Sequence, residues 1–299
     1  MSYKIAIASG KGGTGKTTVA VNLYHFLWKT TTKKIQLVDC DVEEPNDVLF
    51  FDTPNIIKKK IATQLIPEID TDKCTFCRQC AEFCEFNAIV IVPPAEFAEV
   101  TTGLCHSCGA CTAACQYQAI TEHPEPIGEI TWYETGIGTG LVEGNLNIGS
   151  AMQTMMIKEL KKNISDEQDI IVFDAPPGTS CPVVETVADV HYVILVTEPT
   201  PFGLHDLKLT VTLLREMQKP FGVVVNKSGI GNDEVFHYIK EEHLTLLGTI
   251  PYNTQYASNY AKGQLLQNIP VDIEQHYVEI AKTLETNFLH YEGDNYFKW

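Results

Sequence analysis

The chain has 299 residues, 44% hydrophobic and 20% charged, enough for one large core or two domains. Its 38 acidic side chains against 22 basic ones give a formal net charge of −16, and Arg78 and Arg215 are the only arginines. That balance excludes a basic stripe for nucleic acid and a polybasic face for anionic membrane, and no apolar run reaches the length of a transmembrane span. Met1 opens straight into an apolar segment without a leader pattern, so a cytoplasmic location is expected, where ten cysteines read as metal ligands before disulfides.

The first element is a strand, Ile5-Ala6-Ile7-Ala8, followed by Gly10, four further residues, and Gly15-Lys16-Thr17. Strand, glycine-rich loop and helix in this order make a phosphate-binding loop. Gly10, Gly12, Gly13 and Gly15, with Thr14 between them, let backbone N–H groups approach phosphate oxygens, and the helix that follows turns its positive end toward the anion. Lys16 is placed to reach the outer phosphates and Thr17, followed by Thr18, to bind Mg²⁺. The helix itself shows an apolar face in Val19, Ala20, Leu23, Phe26 and Leu27.

Lys11 directly after the first glycine gives the loop two lysines, KGGTGKT. This loop resembles that of the MinD/ParA/nitrogenase-iron-protein group of P-loop ATPases. The resemblance implies ATP as the nucleotide and an ATP-dependent dimer, with itself or with a paralogue, in which Lys11 reaches the partner's nucleotide. A second strand, IQLVDCD, ends in Asp39 and Asp41, where an open parallel sheet holds its ligand. By the same resemblance Asp41 helps to activate the attacking water, while Asp39 supports Mg²⁺ waters or the fold.

Residues 56–66 (IIKKKIATQLI) lead out of this pattern. Eight of the ten cysteines then fall in two runs, Cys74-x2-Cys77-x2-Cys80-x3-Cys84 and Cys105-x2-Cys108-x2-Cys111-x3-Cys115, an internal repeat offset by 31 residues. The spacing resembles that of bacterial ferredoxins with two [4Fe–4S] clusters, in which the fourth cysteine of each run serves the other cluster. It implies one cluster on Cys74, Cys77, Cys80 and Cys115 and another on Cys105, Cys108, Cys111 and Cys84. Glu85 and Gln116 stand where those ferredoxins have proline, a change of local rigidity rather than of ligands. Zinc is the alternative, but paired CxxC sites do not require the third and fourth cysteines at this spacing. Nine acidic against two basic residues give 68–126 a net charge of −7, suited to a basic redox partner or to a soluble acidic surface.

After Pro124 and Pro126 a strand and loop to Gly149 rejoin the first pattern, followed by a helix at Ala151–Lys162. Asp169–Asp174 is a buried strand of Walker B form whose Asp174 is expected near Mg²⁺. In the resembled group the turn 175–180 senses the γ-phosphate, which assigns Gly178's amide to that role. Cys181 lies at the spacing of a cluster cysteine in the nitrogenase iron protein, with Cys40 the one other cysteine outside the two runs; the plainer reading of Cys181 is a small buried thiol. Strands at 191–199, 221–227 and 244–251 alternate with helices near 204–218, 232–242 and 272–288, which means a parallel sheet covered on both faces. The resemblance places Asn226, Pro251 and Tyr252 at the adenine. A strand-end Asn226 is also an ordinary turn former. The tail from Leu284 has no membrane-targeting helix.

The expected fold is α/β, a doubly wound, mostly parallel sheet over 1–66 and 127–299 with a small α+β ferredoxin-like insert at 67–126. Three functions fit: an ATP-gated electron donor to a protein redox partner, a maturation factor serving an apo-metalloenzyme, and a positioning ATPase with a merely structural insert.

Overall fold

The computed structural model describes residues 2–165 and 167–293. In chain order, β1 (Tyr3–Ala8), α1 (Lys16–Thr30) and β2 (Ile35–Asp39) lead through a 3-10 turn at Asp47–Phe50 into β3 (Asn55–Ile69). The cysteine-rich part holds α2 (Gln79–Glu82), β4 (Ile89–Val92), β5 (Phe97–Val100) and α3 (Ala110–Ala114), and β6 (Ile120–Glu134) returns from it. Then come β7 (Leu141–Leu146), α4 (Gln153–Lys162), β8 (Ile170–Asp174), α5 (Cys181–Val187), β9 (Tyr192–Thr197) and α6 (Pro201–Glu216). The chain closes with β10 (Phe221–Ser228), α7 (Glu234–Glu241), β11 (Leu246–Pro251), α8 (Thr254–Ala261) and α9 (Val271–Gly293).

Nine strands form one sheet in the order β11-β10-β9-β1-β8-β2-β7-β6-β3. The seven from β11 to β7 run parallel; β6 and β3 are antiparallel additions at one edge. Strands buried on both faces must be apolar at every position. β1 shows this: Ile5 and Ile7 enter the core shared with Tyr24, Phe26 and Tyr277, while Ala6 and Ala8 enter the opposite core with Met156 and Phe173. The expected doubly wound, mostly parallel sheet is present. α6 starts at Pro201, earlier than the apolar spacing suggests, because Thr200 Oγ1 accepts from the Gly203 amide and proline fits the first helical position. The region after Pro126 contributes two strands rather than one, β6 turning back on β7.

The junction with the cysteine-rich part, expected at 66/67 and 126/127, is made by β3 and β6. Both expected boundaries fall inside continuous strands, because β3 and β6 pair from Asn55↔Glu134 out to Ile69↔Ile120. Only β6 residues 128–133 also pair with β7, so beyond them the two strands continue toward the cysteine-rich part as a two-stranded ribbon. Fifteen residues in each arm span roughly 45 Å. The lysine run that reads as an exit from the fold is edge-strand chemistry: Lys58 lies over Trp132, Lys59 pairs with Glu129, and Lys60 donates to Asn163 Oδ1 at 2.8 Å. Among the described residues no helix is long and apolar enough to cross a membrane; residues 294–299 of the tail lie outside them.

Candidate nucleotide site and cysteine cavities

The loop between β1 and α1 opens on a cavity of about 380 Å³ lined at one end by Lys11, Gly12, Gly13, Gly15, Lys16 and Thr17. Two glycines are obligatory for separate reasons. A Cβ on Gly10 would come within 2.5 Å of the Asp206 carbonyl oxygen. Gly15 has φ +89°, and a Cβ there would meet Asn226 Nδ2 at 2.1 Å. Gly13 also needs its left-handed φ of +81°, whereas Gly12 faces open space. No acidic residue or side-chain cap occupies the first turn of α1, which leaves its N–H groups for an anion.

Asp174 ends β8 beside β1 and binds both loop residues: Lys16 Nζ donates to Oδ1 at 2.8 Å and Thr17 Oγ1 to Oδ2 at 2.7 Å. Burial alone pushes the Lys16 ammonium down, but Asp174 beside it outweighs this and leaves its pKa raised. Asp39 accepts from the amides of Asp41 (2.9 Å), Asn46 (2.9 Å) and Asp47 (3.1 Å), so it folds the loop after β2. Asp41 remains half-buried on the cavity wall, its carboxyl pushed up to about 6 mainly by burial.

Sequence reasoning missed Asp47. It is fully buried, neither carboxylate oxygen has a hydrogen-bond partner, and one of its oxygens lies within 4.8 Å of those of Asp39 and Asp174. Burial first, and Asp39 second, hold its pKa well above the usual carboxylate range. The only sequence signal is a third aspartate soon after the Asp39–Asp41 pair. Also missed was Glu198, past the end of β9, whose carboxylate takes Lys11 at 3.0 Å and Lys227 at 3.1 Å. Burial raises Glu198, but these two ammonium groups hold it below its ordinary value. Lys227 also donates to the Gly13 carbonyl at 2.7 Å, and Lys11 lies 5.5 Å over the Phe202 ring.

Asn226 is buried and donates from Nδ2 to the Thr14 carbonyl at 2.8 Å, bracing the loop; the residue lines the same cavity. The far end of that cavity is lined by Pro251, Tyr252, Asn253, Tyr256 and Tyr260. Gly178, at φ +98°, donates its amide to the Ser9 carbonyl at 3.0 Å, so in this conformation that amide serves the loop and Pro177 faces the cavity. Cys40 is buried, while Cys181, expected to be a small buried thiol, is exposed. It is the first residue of α5, whose buried stripe is Val183, Thr186 and Val187, and residue 181 falls off that stripe.

In the insert the repeat reappears as local geometry. Left-handed φ values recur at Phe76 (53°) and Ser107 (52°), Arg78 (69°) and Gly109 (72°), Asn87 (52°) and Gln118 (51°). Backbone N–H groups point at sulfur in matching places: Phe76 to Cys74 and Ser107 to Cys105 at 3.4 Å, Ala88 to Cys84 and Ala119 to Cys115 at 3.3 Å. Cys74, Cys77, Cys80 and Cys115 line one cavity; Cys84, Cys105, Cys108 and Cys111 line another. Among the described residues no three cysteine sulfurs lie within 4.8 Å of one another, whereas one tetrahedral zinc ion draws its sulfurs to about 3.8 Å apart.

Residues 5–266 match the family model described as the CobQ/CobB/MinD/ParA nucleotide binding domain. An uncharacterized protein of Methanocaldococcus jannaschii is 32% identical over 245 residues, covering 79% of this chain and 83% of its own. An iron-sulfur cluster carrier protein of Pyrococcus furiosus is 26% identical over 228 residues, or 75% of this chain and 60% of its own. Among solved structures, the septum site-determining protein MinD of Pyrococcus horikoshii, complexed with Mg-ADP, superimposes with a TM-score of 0.60 at 19% identity, covering 96% of this chain and 97% of that one.

Proposed function

Since the chain belongs to the CobQ/CobB/MinD/ParA nucleotide-binding family, we propose that it is an Mg²⁺-dependent ATPase whose cycle repositions two iron–sulfur centres serving a partner protein. Bound Mg·ATP supplies the phosphoanhydride that is cleaved. Lys16 would hold its outer phosphates, Lys11 those of a partner copy, and Thr17 with Asp174 the metal. For this, Lys16 and Thr17 must exchange Asp174 for the incoming ligand, which leaves the Asp174 carboxylate facing the cation. Asp41, still largely ionised at neutral pH, accepts a hydrogen bond from the attacking water. Gly178 must likewise leave the Ser9 carbonyl before its amide can reach a γ-phosphate.

The route from nucleotide to insert is short and stiff. Asp39 gathers the loop 41–47 through its amides, Phe50 packs on Tyr260 at 5.1 Å and Phe51 on Tyr24 at 6.0 Å, and β3 begins at Asn55. A shift of this loop would therefore act on the sheet's edge strand β3, from which the ribbon extends.

The observation that carries the iron–sulfur reading is the sorting of eight cysteines into two cavities of four, each drawing three from one run and one from the other. A [4Fe–4S] centre in each would supply one-electron chemistry. The chain's own part is to hold the four thiolates and shield them. A second reading, cluster delivery to an apo-protein, is favoured by the likeness to the iron-sulfur cluster carrier protein of Pyrococcus furiosus. Complete four-cysteine sets within one chain favour retention, with Cys77 and Cys108 the exposed member of each. Anaerobic incubation of the iron-loaded protein with an apo-acceptor, with and without Mg·ATP, separates the two. Iron that stays while electrons leave supports the first reading; iron that leaves the insert overturns it.

A further inference from the structure

The two cysteine cavities are related by the repeat, yet their surroundings differ. Both basic residues of the insert stand at the first: Arg78 lines it, and Lys73, paired with Asp70 at 2.7 Å, precedes Cys74. At the second, Gly109 replaces the arginine and His106 stands where the first has Thr75. The His106 ring stacks on Phe86 with centroids 3.8 Å apart and 14° between planes, and both line the second cavity. Phe86 remains 40% exposed, Phe83 beside Cys84 60%, and Leu104 beside Cys105 49%. Glu82 and Glu85, both exposed, directly precede Phe83 and Phe86 in sequence. An exposed apolar centre with an acidic surround, on a segment of net charge −7, has the anatomy of a protein-docking patch for a basic partner.

We infer that the second cavity's face, centred on Phe86 and His106, is the docking surface for a basic protein that itself carries a one-electron centre. This deepens the iron–sulfur reading above and rests on it for the nature of the partner's centre; the surface itself is read from exposure and charge. Beside His106, Ser107 ties this part of the insert to the ribbon, its Oγ accepting from the Leu65 amide of β3 at 3.0 Å.

The test is binding, with cytochrome c as the basic haem-protein probe and the iron-loaded full chain, read by titration and by carbodiimide cross-links mapped to single residues. Expected are cross-links to Glu82 and Glu85 and a Kd that weakens about tenfold from low to 0.3 M salt. Phe86→Ala is expected to weaken binding about fivefold, and Glu82→Gln/Glu85→Gln, which disturbs no packing, by as much. Tyr117→Ala, the repeat counterpart of Phe86 at the other cavity and 51% exposed, is expected to change it less than twofold. Iron content and the paramagnetic resonance of the reduced protein are measured on each variant. Salt-independent binding, or a Tyr117→Ala loss matching that of Phe86→Ala, overturns the assignment of the face. A chain that takes up no iron overturns the underlying reading instead, whatever the probe does.

Discussion

At the phosphate loop the charged groups are already neutralised by protein: Lys16 and Thr17 share Asp174, Lys11 and Lys227 share Glu198, and Asn226 braces Thr14. In the insert Cys74, Cys84, Cys105 and Cys115 accept from backbone N–H groups, and Cys80, Cys105 and Cys111 are themselves part of two small clusters completed by Ile66, Ala88, Ile89, Ile91 and Ile120. The sheet, by contrast, buries two large apolar clusters, one on each face. One region is built to stand and then admit a ligand. The other buries only two small clusters that count three cysteines among their members.

The largest expected effect tests that contrast directly. Chelation of iron, or Cys80→Ser together with Cys111→Ser, is expected to unfold the insert, seen as proteolysis between 70 and 119, while nucleotide affinity changes less than threefold. Protease resistance throughout would break the comparison. Next, Lys16→Ala strips Asp174 of its buried partner; a loss of about 3–5 kcal/mol is expected in denaturant unfolding, with nucleotide binding abolished. Gly15→Ala drives a Cβ into Asn226 at a left-handed φ, which is expected to cost about 2 kcal/mol and most nucleotide affinity. Adding Asn226→Ala relieves the clash but not the backbone strain, so partial recovery by calorimetry is expected.

The pH prediction is smaller. The Asp41 carboxyl sits at about 6 in the fold against 3.8 unfolded, so the folded state holds the extra proton and stability falls as pH rises between those values. Because the group is partly screened, a contribution of about 1–2 kcal/mol is expected, and Asp41→Asn should flatten the wild-type slope across this window. Smallest of all, Ser107→Ala removes the hydrogen bond to the Leu65 amide; a cost of about 1 kcal/mol, read as faster amide exchange at the outer ribbon, sharpens how firmly the insert is tied down.

What could be read from the sequence follows what is local. The loop, the continuous apolar strands and the 31-residue repeat each announce themselves within a few dozen residues. The unreadable features depend on partners far away in the chain. Lys58–Lys60 look like a solvated exit until Trp132, Glu129 and Asn163 are placed opposite them. Glu198 gains its meaning from Lys11, and the burial of Asp47 from the fold of a loop held by Asp39. Cys181 illustrates the converse: its exposure is set by which face of a seven-residue helix turns inward, a choice that neighbouring residues alone leave open.

The arms β3 and β6 also restrict how such a molecule can be altered. Alternate side chains along a strand face opposite ways, so one residue added to or removed from either arm inverts everything beyond it unless a bulge absorbs the change. The pairing already contains register shifts at Ile56/Lys58 and Ala62/Thr63. Insertions tolerated here are therefore expected in matched pairs, and the angle at which the insert leaves the sheet is set by where those irregularities fall.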